Sequence, residues 1–171
     1  MTEAGPALRV GLGCDAHRFA PDRALVLGGV RLREHDGLQG RSDADVLVHA
    51  VMDALLGSAG LEDIGHYFPD TDPAFAGADS LELLAAVAGL LAEKGWRPVN
   101  VDAVVICEEP RIAPHRQAMR ERLATALGVG IDRVGLRGTT TEGMGFTGRS
   151  EGIAAQAVAL VERFLPPDAG G

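Results

Sequence analysis

Asp15 and His17, two positions apart, are the first residues in the chain whose types could do chemistry together. They follow a short β-prone run, Leu8 to Gly13, and side chains at i and i+2 of a strand point to the same face. A carboxylate and an imidazole can therefore converge on one ion. His49, on the polar edge of a downstream helical segment, can supply a third ligand. Asp, His and His with an open fourth position suit a catalytic zinc that takes a substrate oxygen. An isolated Asp-x-His is also common without a metal, and His49 reads as well as a hydrogen-bonded histidine at the core edge.

Three further segments carry polar groups suited to phosphate. Thr139-Thr140-Thr141-Glu142 is followed by Gly143, Gly145, Phe146, Thr147, Gly148 and Arg149. Its hydroxyls and glycine amides can hold phosphate oxygens, Arg149 can bind one bidentately, and Glu142 can hold a divalent cation. The same composition also makes a turn-rich loop that needs Thr and Gly only for its backbone shape. Glu108-Glu109-Pro110-Arg111-Ile112-Ala113-Pro114 leaves a strand and enters a helix, where amides and Arg111 can meet a diphosphate. A Pro-rich turn with ordinary surface charges is the plainer reading. Phe68-Pro69-Asp70-Thr71-Asp72 offers two carboxylates in a loop, for a hydroxyl-rich substrate or for a simple Asx-turn. Cys14 and Cys107 read as core packing. His35, His66 and His115 read as surface or capping residues.

The elements that must position these groups follow from pattern and punctuation. Ala24 to Leu32 reads as a hairpin around Gly28-Gly29. Ser42 with Asp45 has capping-box character, and opens a helix through Val46, His49 and Leu56 that stops near Gly57 to Gly60. Asp63 to Ser80 reads as a long loop, of the kind that often serves as a functional lid. A second helix covers about Ser80 to Lys94. Val99 to Cys107 is a strand with Val101, Ala103, Val105 and Cys107 on one face. Pro114 opens a third helix to about Leu127, and Arg133 to Arg137 is another strand. Ile153 to Val161 fits helix or strand. Strands alternating with helices predict an α+β class, an α/β sandwich with helices over one sheet.

The whole chain sets the outer limits. Its 171 residues make a single domain, with a core over 8–164 and flexible tails at 1–7 and 165–171. A net charge of −8 argues against nucleic acid as the main partner, though not against a small anion. Two cysteines form no disulfide framework, which fits a reducing compartment. No apolar stretch is long enough to span a bilayer, and Met1 to Ala7 has no signal-peptide pattern. The expectation is a cytoplasmic protein without membrane segments.

Taken together the segments resemble the 2-C-methyl-D-erythritol 2,4-cyclodiphosphate synthases. The resemblance rests on Gly-x-Asp-x-His from Gly13, then Ser-Asp-x-Asp-Val-x-x-His-Ala from Ser42. Asp-Ile-Gly-x-x-Phe-Pro-Asp-Thr-Asp from Asp63 and Thr-Thr-Thr-Glu-x-x-Gly-Phe-Thr-Gly-Arg-x-Glu-Gly from Thr139 complete it, over about Arg9 to Phe164. The resemblance implies zinc on Asp15, His17 and His49, and magnesium or manganese on Glu142. It implies methylerythritol contacts from Asp63, Ile64, Gly65 and Phe68 to Asp72, with Ala16, Arg41 and Ser42 beside the metal site. Cytidine and phosphate contacts would come from Cys107, Glu108, Glu109, Pro110, Arg111, Ile112 and Ala113, and from Thr139, Thr140 and Thr141. Phe146 and Arg149 would face the axis of a homotrimer, which can hold an isoprenoid diphosphate. The implied subunit is ferredoxin-like, a four-stranded sheet with helices on one face, and the active sites lie between subunits. Ile153 to Val161 becomes a strand. The implied reaction closes a cyclic diphosphate on a cytidine-diphosphate substrate and releases CMP.

One position departs from the family pattern. Before Ser42 the family usually carries a histidine that works beside the threonine at Thr140, and here the residue is Arg41. Arginine keeps a cation and a donor fork near phosphate but cannot lose its proton. Activity is expected to persist with an altered rate or pH dependence.

Overall fold

The computed structural model describes residues 7–163. The sequence-read tails, apart from Ala7, lie outside the described residues. The elements in order are β1 (Leu8–Ala20), β2 (Leu25–Leu27), β3 (Val30–Arg33), β4 (Gly37–Leu38), α1 (Val46–Ser58), α2 (Ile64–Tyr67), α3 (Ser80–Glu93), β5 (Trp96–Ile106), α4 (Arg116–Leu127), β6 (Val134–Thr139), α5 (Gly145–Gly148) and β7 (Gly152–Arg163). The main sheet has five strands in the order β4-β1-β7-β5-β6, one more than expected, because the two-residue β4 pairs with the end of β1. It is a mixed sheet: β5 and β6 run parallel across the α4 connection, while β7 is antiparallel to both β1 and β5.

The residue facing follows the strand period of two. In β5, Val101, Ala103 and Val105 are buried, as is Cys107 just beyond it, and in β7 the buried set is Ile153, Ala155, Ala157, Ala159 and Val161. Helices α1, α3 and α4 cover that face. The other face stays open on β1, where Leu8, Val10 and Leu12 are 53%, 66% and 68% exposed. This overturns the reading of Cys14 as core. Alternation does send it away from Asp15, but the side it reaches is the open one, and the thiol is exposed.

Helix α1 lies directly on the backbone of β1. A Cβ on Gly11 would collide with the Ala54 carbonyl and Ser58, and one on Gly13 with the Ala50 carbonyl. Ala50, Ala54 and Ser58 repeat at i+4, so three small residues form the contacting stripe of the helix. Glycine opposite small residues lets strand and helix approach closely.

The start of α1 is fixed by Asp45 rather than Ser42. Its fully buried side chain accepts from Val48 N at 3.1 Å, capping the helix, and from Gly28 N and Gly29 N at 3.0 and 2.7 Å in the β2–β3 turn. Burial pushes its carboxyl up to about 6, against the pull of those amides. Ser42 instead accepts from Ala44 N.

Candidate active site and metal centre

Strand β1 continues well past Gly13, and this extension carries Asp15 and His17 on its helix-facing side. Because α1 is seated on Gly11 and Gly13, its first turns bring His49 against them. Asp15 Oδ2 lies 2.9 Å from His17 Nε2 and 3.0 Å from His49 Nδ1, and the two nitrogens are 3.2 Å apart. Among the described residues this is the one cluster of three side chains able to share a divalent metal.

The hydrogen bonding of His17 is that of a metal ligand. Its Nδ1 lies 2.7 Å from the Gln39 carbonyl, which only accepts, so Nδ1 carries a proton and Nε2 is left to face Asp15. Nε2 donates to Asp15 when the ring is fully protonated and offers a lone pair to a metal when it is neutral. The electrostatics agree. Burial would raise the Asp15 carboxyl, but hydrogen bonds and charge from His17 and His49 outweigh it and hold it well below the usual carboxylate range. The hydrogen bond to Asp15 raises His17 above its ordinary value, against desolvation. Three donor atoms facing one point attract a cation in place of a proton, so the set fits a divalent metal.

A cavity of about 320 Å³ opens over this triad. Of the sequence-read residues it gathers Asp15, His17, Arg41, Ser42, His49, Ile64, Gly65 and Phe68 to Asp72. Asp63 is instead the N-cap of α2, accepting from His66 N at 3.0 Å. The loop is more ordered than expected, since α2 and a 3-10 turn at Pro73–Phe75 lie within it. Sequence reading missed Met52, Phe75 and Leu83, which give the cavity an apolar wall. As ordinary core-type residues they carried no chemical signal.

A second cavity of about 600 Å³ lies beyond the ends of β5 and β6. It gathers Cys107 to Ala113 with Thr139 and Thr140, and adds Arg116 and Arg137, which were not singled out from sequence. Arg137 is paired bidentately with Asp102 at 2.8 and 2.9 Å, and the Arg116 Nε donates to the Leu136 carbonyl at 2.6 Å. The two cavities share no lining residue and are separate in this chain.

The Gly-rich segment is partly self-satisfied. Glu108 Oε1 accepts from Thr141 N at 3.2 Å and Gly143 N at 3.3 Å, so these amides are engaged by a carboxylate. The Thr141 hydroxyl bonds the Met144 carbonyl and Thr147. Glu142 sits on the exposed turn with φ of 53° and is outside the metal-ligand cluster. Phe146 and Ala16 line a small hollow of about 190 Å³ with Arg18 and Glu151, and Arg149 Nε donates to Glu151 at 2.7 Å.

A mixed sheet layered with helices, an Asp-His-His cluster at the floor of one cavity and a separate Thr- and Arg-lined cavity are the frame of an α+β enzyme with a candidate metal site. The YgbB family model matches residues 8–162. A 2-C-methyl-D-erythritol 2,4-cyclodiphosphate synthase of Rubrobacter xylanophilus is 65% identical over 160 residues, covering 92% of this chain and 96% of that protein. One of Thermosynechococcus vestitus is 57% identical, covering 91% and 96%. Among solved structures, the bifunctional IspDF of Campylobacter jejuni superposes with a TM-score of 0.89 at 39% identity, over 92% of this chain and 42% of that one. IspF of Plasmodium falciparum, in a CDP complex, gives 0.82 at 27% identity over 95% and 100%. The chain belongs to the YgbB family, that of the 2-C-methyl-D-erythritol 2,4-cyclodiphosphate synthases, lyases of non-mevalonate isoprenoid biosynthesis.

Proposed function

We propose that this chain converts 4-diphosphocytidyl-2-C-methyl-D-erythritol 2-phosphate into 2-C-methyl-D-erythritol 2,4-cyclodiphosphate and CMP. The observation that carries the reading is the convergence of Asp15 Oδ2, His17 Nε2 and His49 Nδ1 within 3.2 Å of one another, at the floor of a cavity. In the reaction an oxygen of the 2-phosphate attacks the β-phosphorus, the bond to the bridging oxygen breaks, and that oxygen leaves with CMP. The nucleophile is already an anion, so no general base is needed; positioning and charge neutralisation supply most of the acceleration.

Asp15, His17 and His49 would hold zinc, whose chemistry there is Lewis-acid polarisation of a phosphate oxygen. Glu142, an isolated exposed carboxylate, fits a magnesium or manganese ion only when diphosphate oxygens complete the set, and that ion would neutralise diphosphate charge. Phe68 to Asp72, with Ile64 and Gly65, hold the methylerythritol part. Arg41 and Thr140 stabilise the transferring phosphoryl group, and Cys107 to Ala113 with Thr139 and Thr141 hold the cytidine diphosphate.

The two separate cavities and the open face of β1 support a homotrimer of ferredoxin-like subunits. The first cavity of one subunit would meet the second cavity of its neighbour, completing a cytoplasmic enzyme's site from two chains. Leu8, Val10 and Leu12 form a contiguous exposed apolar row, the kind of surface that marks association. Phe146 and Arg149 would then lie toward the axis, where an isoprenoid diphosphate fits.

Phosphorus NMR of the purified protein with substrate, zinc and magnesium tests the reading. The expected products are CMP and a cyclic diphosphate, both abolished by His49→Ala. CMP with a linear phosphate would make the protein a hydrolase.

A further inference from the structure

The side of His49 turned away from the metal cluster is as constrained as the side facing it. Its Nε2 meets the hydroxyl of Ser80 at 3.2 Å and, at longer range, that of Ser42 at 3.4 Å. Ser80 is completely buried as the first residue of α3, and its hydroxyl donates to Asp43 Oδ1 at 2.5 Å. Asp43 Oδ2 accepts from Ser80 N at 2.9 Å, and Oδ1 also accepts from Asp45 N at 3.1 Å. The Asp43 carboxylate therefore fixes Ser80 in both position and hydroxyl direction.

A hydroxyl has one proton. That of Ser80 is committed to Asp43, so only lone pairs remain to face His49. In the neutral ring Nε2 is then the protonated nitrogen and Nδ1 carries the lone pair, the contact of Nδ1 with Asp15 Oδ2 being a hydrogen bond only when the ring is fully protonated. We infer that Asp43 and Ser80 are positioning residues that act through His49, locking its ring as the Nε2–H tautomer and presenting Nδ1 as a ready metal ligand. The inference rests on the metal-site reading above and adds two residues to it. Metal-bound histidines commonly donate their second N–H to an oxygen, and loss of that partner weakens binding roughly 10- to 100-fold.

The same contacts attach the substrate loop to the metal ligand. Gly77 N donates to the Arg41 carbonyl at 2.8 Å and Asp43 N to the Ala78 carbonyl at 3.2 Å. The end of the 63–80 loop is thus stitched to the segment that carries Arg41 and Ser42. A shift of that loop moves Ser80, and with it the hydroxyl that faces the back of the His49 ring.

Two measurements on the full chain test this. Long-range nitrogen–proton NMR of the metal-free native protein at about pH 8, above the ordinary imidazole range, should give His49 the Nε2–H pattern. An Nδ1–H pattern would overturn the inference, whatever the metal affinity. Chelator competition with zinc should then show Ser80→Ala binding about 10- to 100-fold more weakly, with a melting temperature close to native in the absence of metal. Ser80→Thr, which keeps the hydroxyl, should recover most of the affinity. A Ser80→Ala zinc affinity within about twofold of native would overturn the inference. If the native chain bound no zinc while His49 showed the Nε2–H pattern, the metal-site reading would fail and the tautomer lock would stand.

Discussion

No side chain fits between Gly13 and Ala50: any Cβ at position 13 would fall on the Ala50 carbonyl oxygen. Gly13 lies two residues before Asp15 and Ala50 follows His49, so this backbone contact sets the distance between strand and helix at the metal cluster. Gly13→Ala should displace α1, cost about 1–3 kcal/mol by overpacking, and weaken divalent-metal binding more than a remote substitution of equal cost. Calorimetric melting with and without zinc measures both effects. A variant that melts lower but keeps native zinc affinity would show that the ligands find each other without this contact.

Metal and protons compete for the same atoms, with opposite pH signs. In the metal-free protein His17 titrates above its ordinary 6.5 and Asp15 below its ordinary 3.8. The raised His17 value contributes stability present below 6.5 and lost as pH rises through the folded value. The lowered Asp15 value contributes stability present above 3.8 and lost as pH falls through the folded value. The pair therefore stabilises the metal-free chain most between about pH 4 and 6.5. Metal needs neutral His17, so the rise in melting temperature on adding zinc should be larger at pH 8 than at pH 6. An equal rise at both would place His17 outside the ligand set.

Arg41 lines the cavity beside Ser42, where a guanidinium brings a donor fork toward phosphate. Arg41→Ala should lower kcat by roughly 10²-fold if the guanidinium meets the transferring phosphoryl group. Arg41→His should retain activity and introduce an ionisation near pH 6.5 in the rate profile. A profile identical to that of the native chain would remove position 41 from the transition-state environment.

The apolar row on β1 gives a prediction about assembly. If the proposed trimer forms through this face, Leu12→Glu, on a side chain 68% exposed in the single chain, should give monomers in light scattering where the native protein gives trimers. The cysteines report the same event. Burial, then Glu109 and Glu108, pushes the Cys107 thiol up to about 11, so it should resist alkylation in either form. Cys14 shares the exposed face and should react only once subunits separate. Rapid Cys14 labelling of the native protein would mean that this face stays open.

How much could be read in advance followed from whether each residue's pattern had a local cause. The β5 alternation of Val101, Ala103, Val105 and Cys107 was readable because one face is wholly core. The full length of β1 was hidden, because Asp15 and His17 put polar residues on the inward face where alternation demands apolar ones. β7 is Ala-rich, and composition alone could not separate strand from helix until the resemblance was applied. The helix cap reads as Ser42 rather than Asp45 in sequence because Asp45's other partners, Gly28 and Gly29, are 17 and 16 positions away. Asp43 and Ser80, 37 positions apart, gave no spacing signal at all. Asp15, His17 and His49 could be grouped from residue type and spacing, but a hydrogen-bonded His49 at the core edge fitted as well, and the resemblance is what favoured the ligand reading.

The two faces of β1 have separate duties that depend on one pairing. Odd positions turn Gly11, Gly13, Asp15 and His17 toward the helix, and even positions turn Leu8, Val10, Leu12 and Cys14 outward, all fixed by the register Leu8 to Glu162 through Arg18 to Gly152. A slip of one residue would exchange the two sets. It would press Leu12 and Cys14 into a helix contact with no room for a side chain, and carry the ligands onto the outer surface. Misregistered chains would thus be unable to seat the helix, bind metal or associate. Correct pairing of β1 with β7 therefore decides three things at once: whether the helix seats, whether Asp15 and His17 meet His49, and which side chains are left on the outer face.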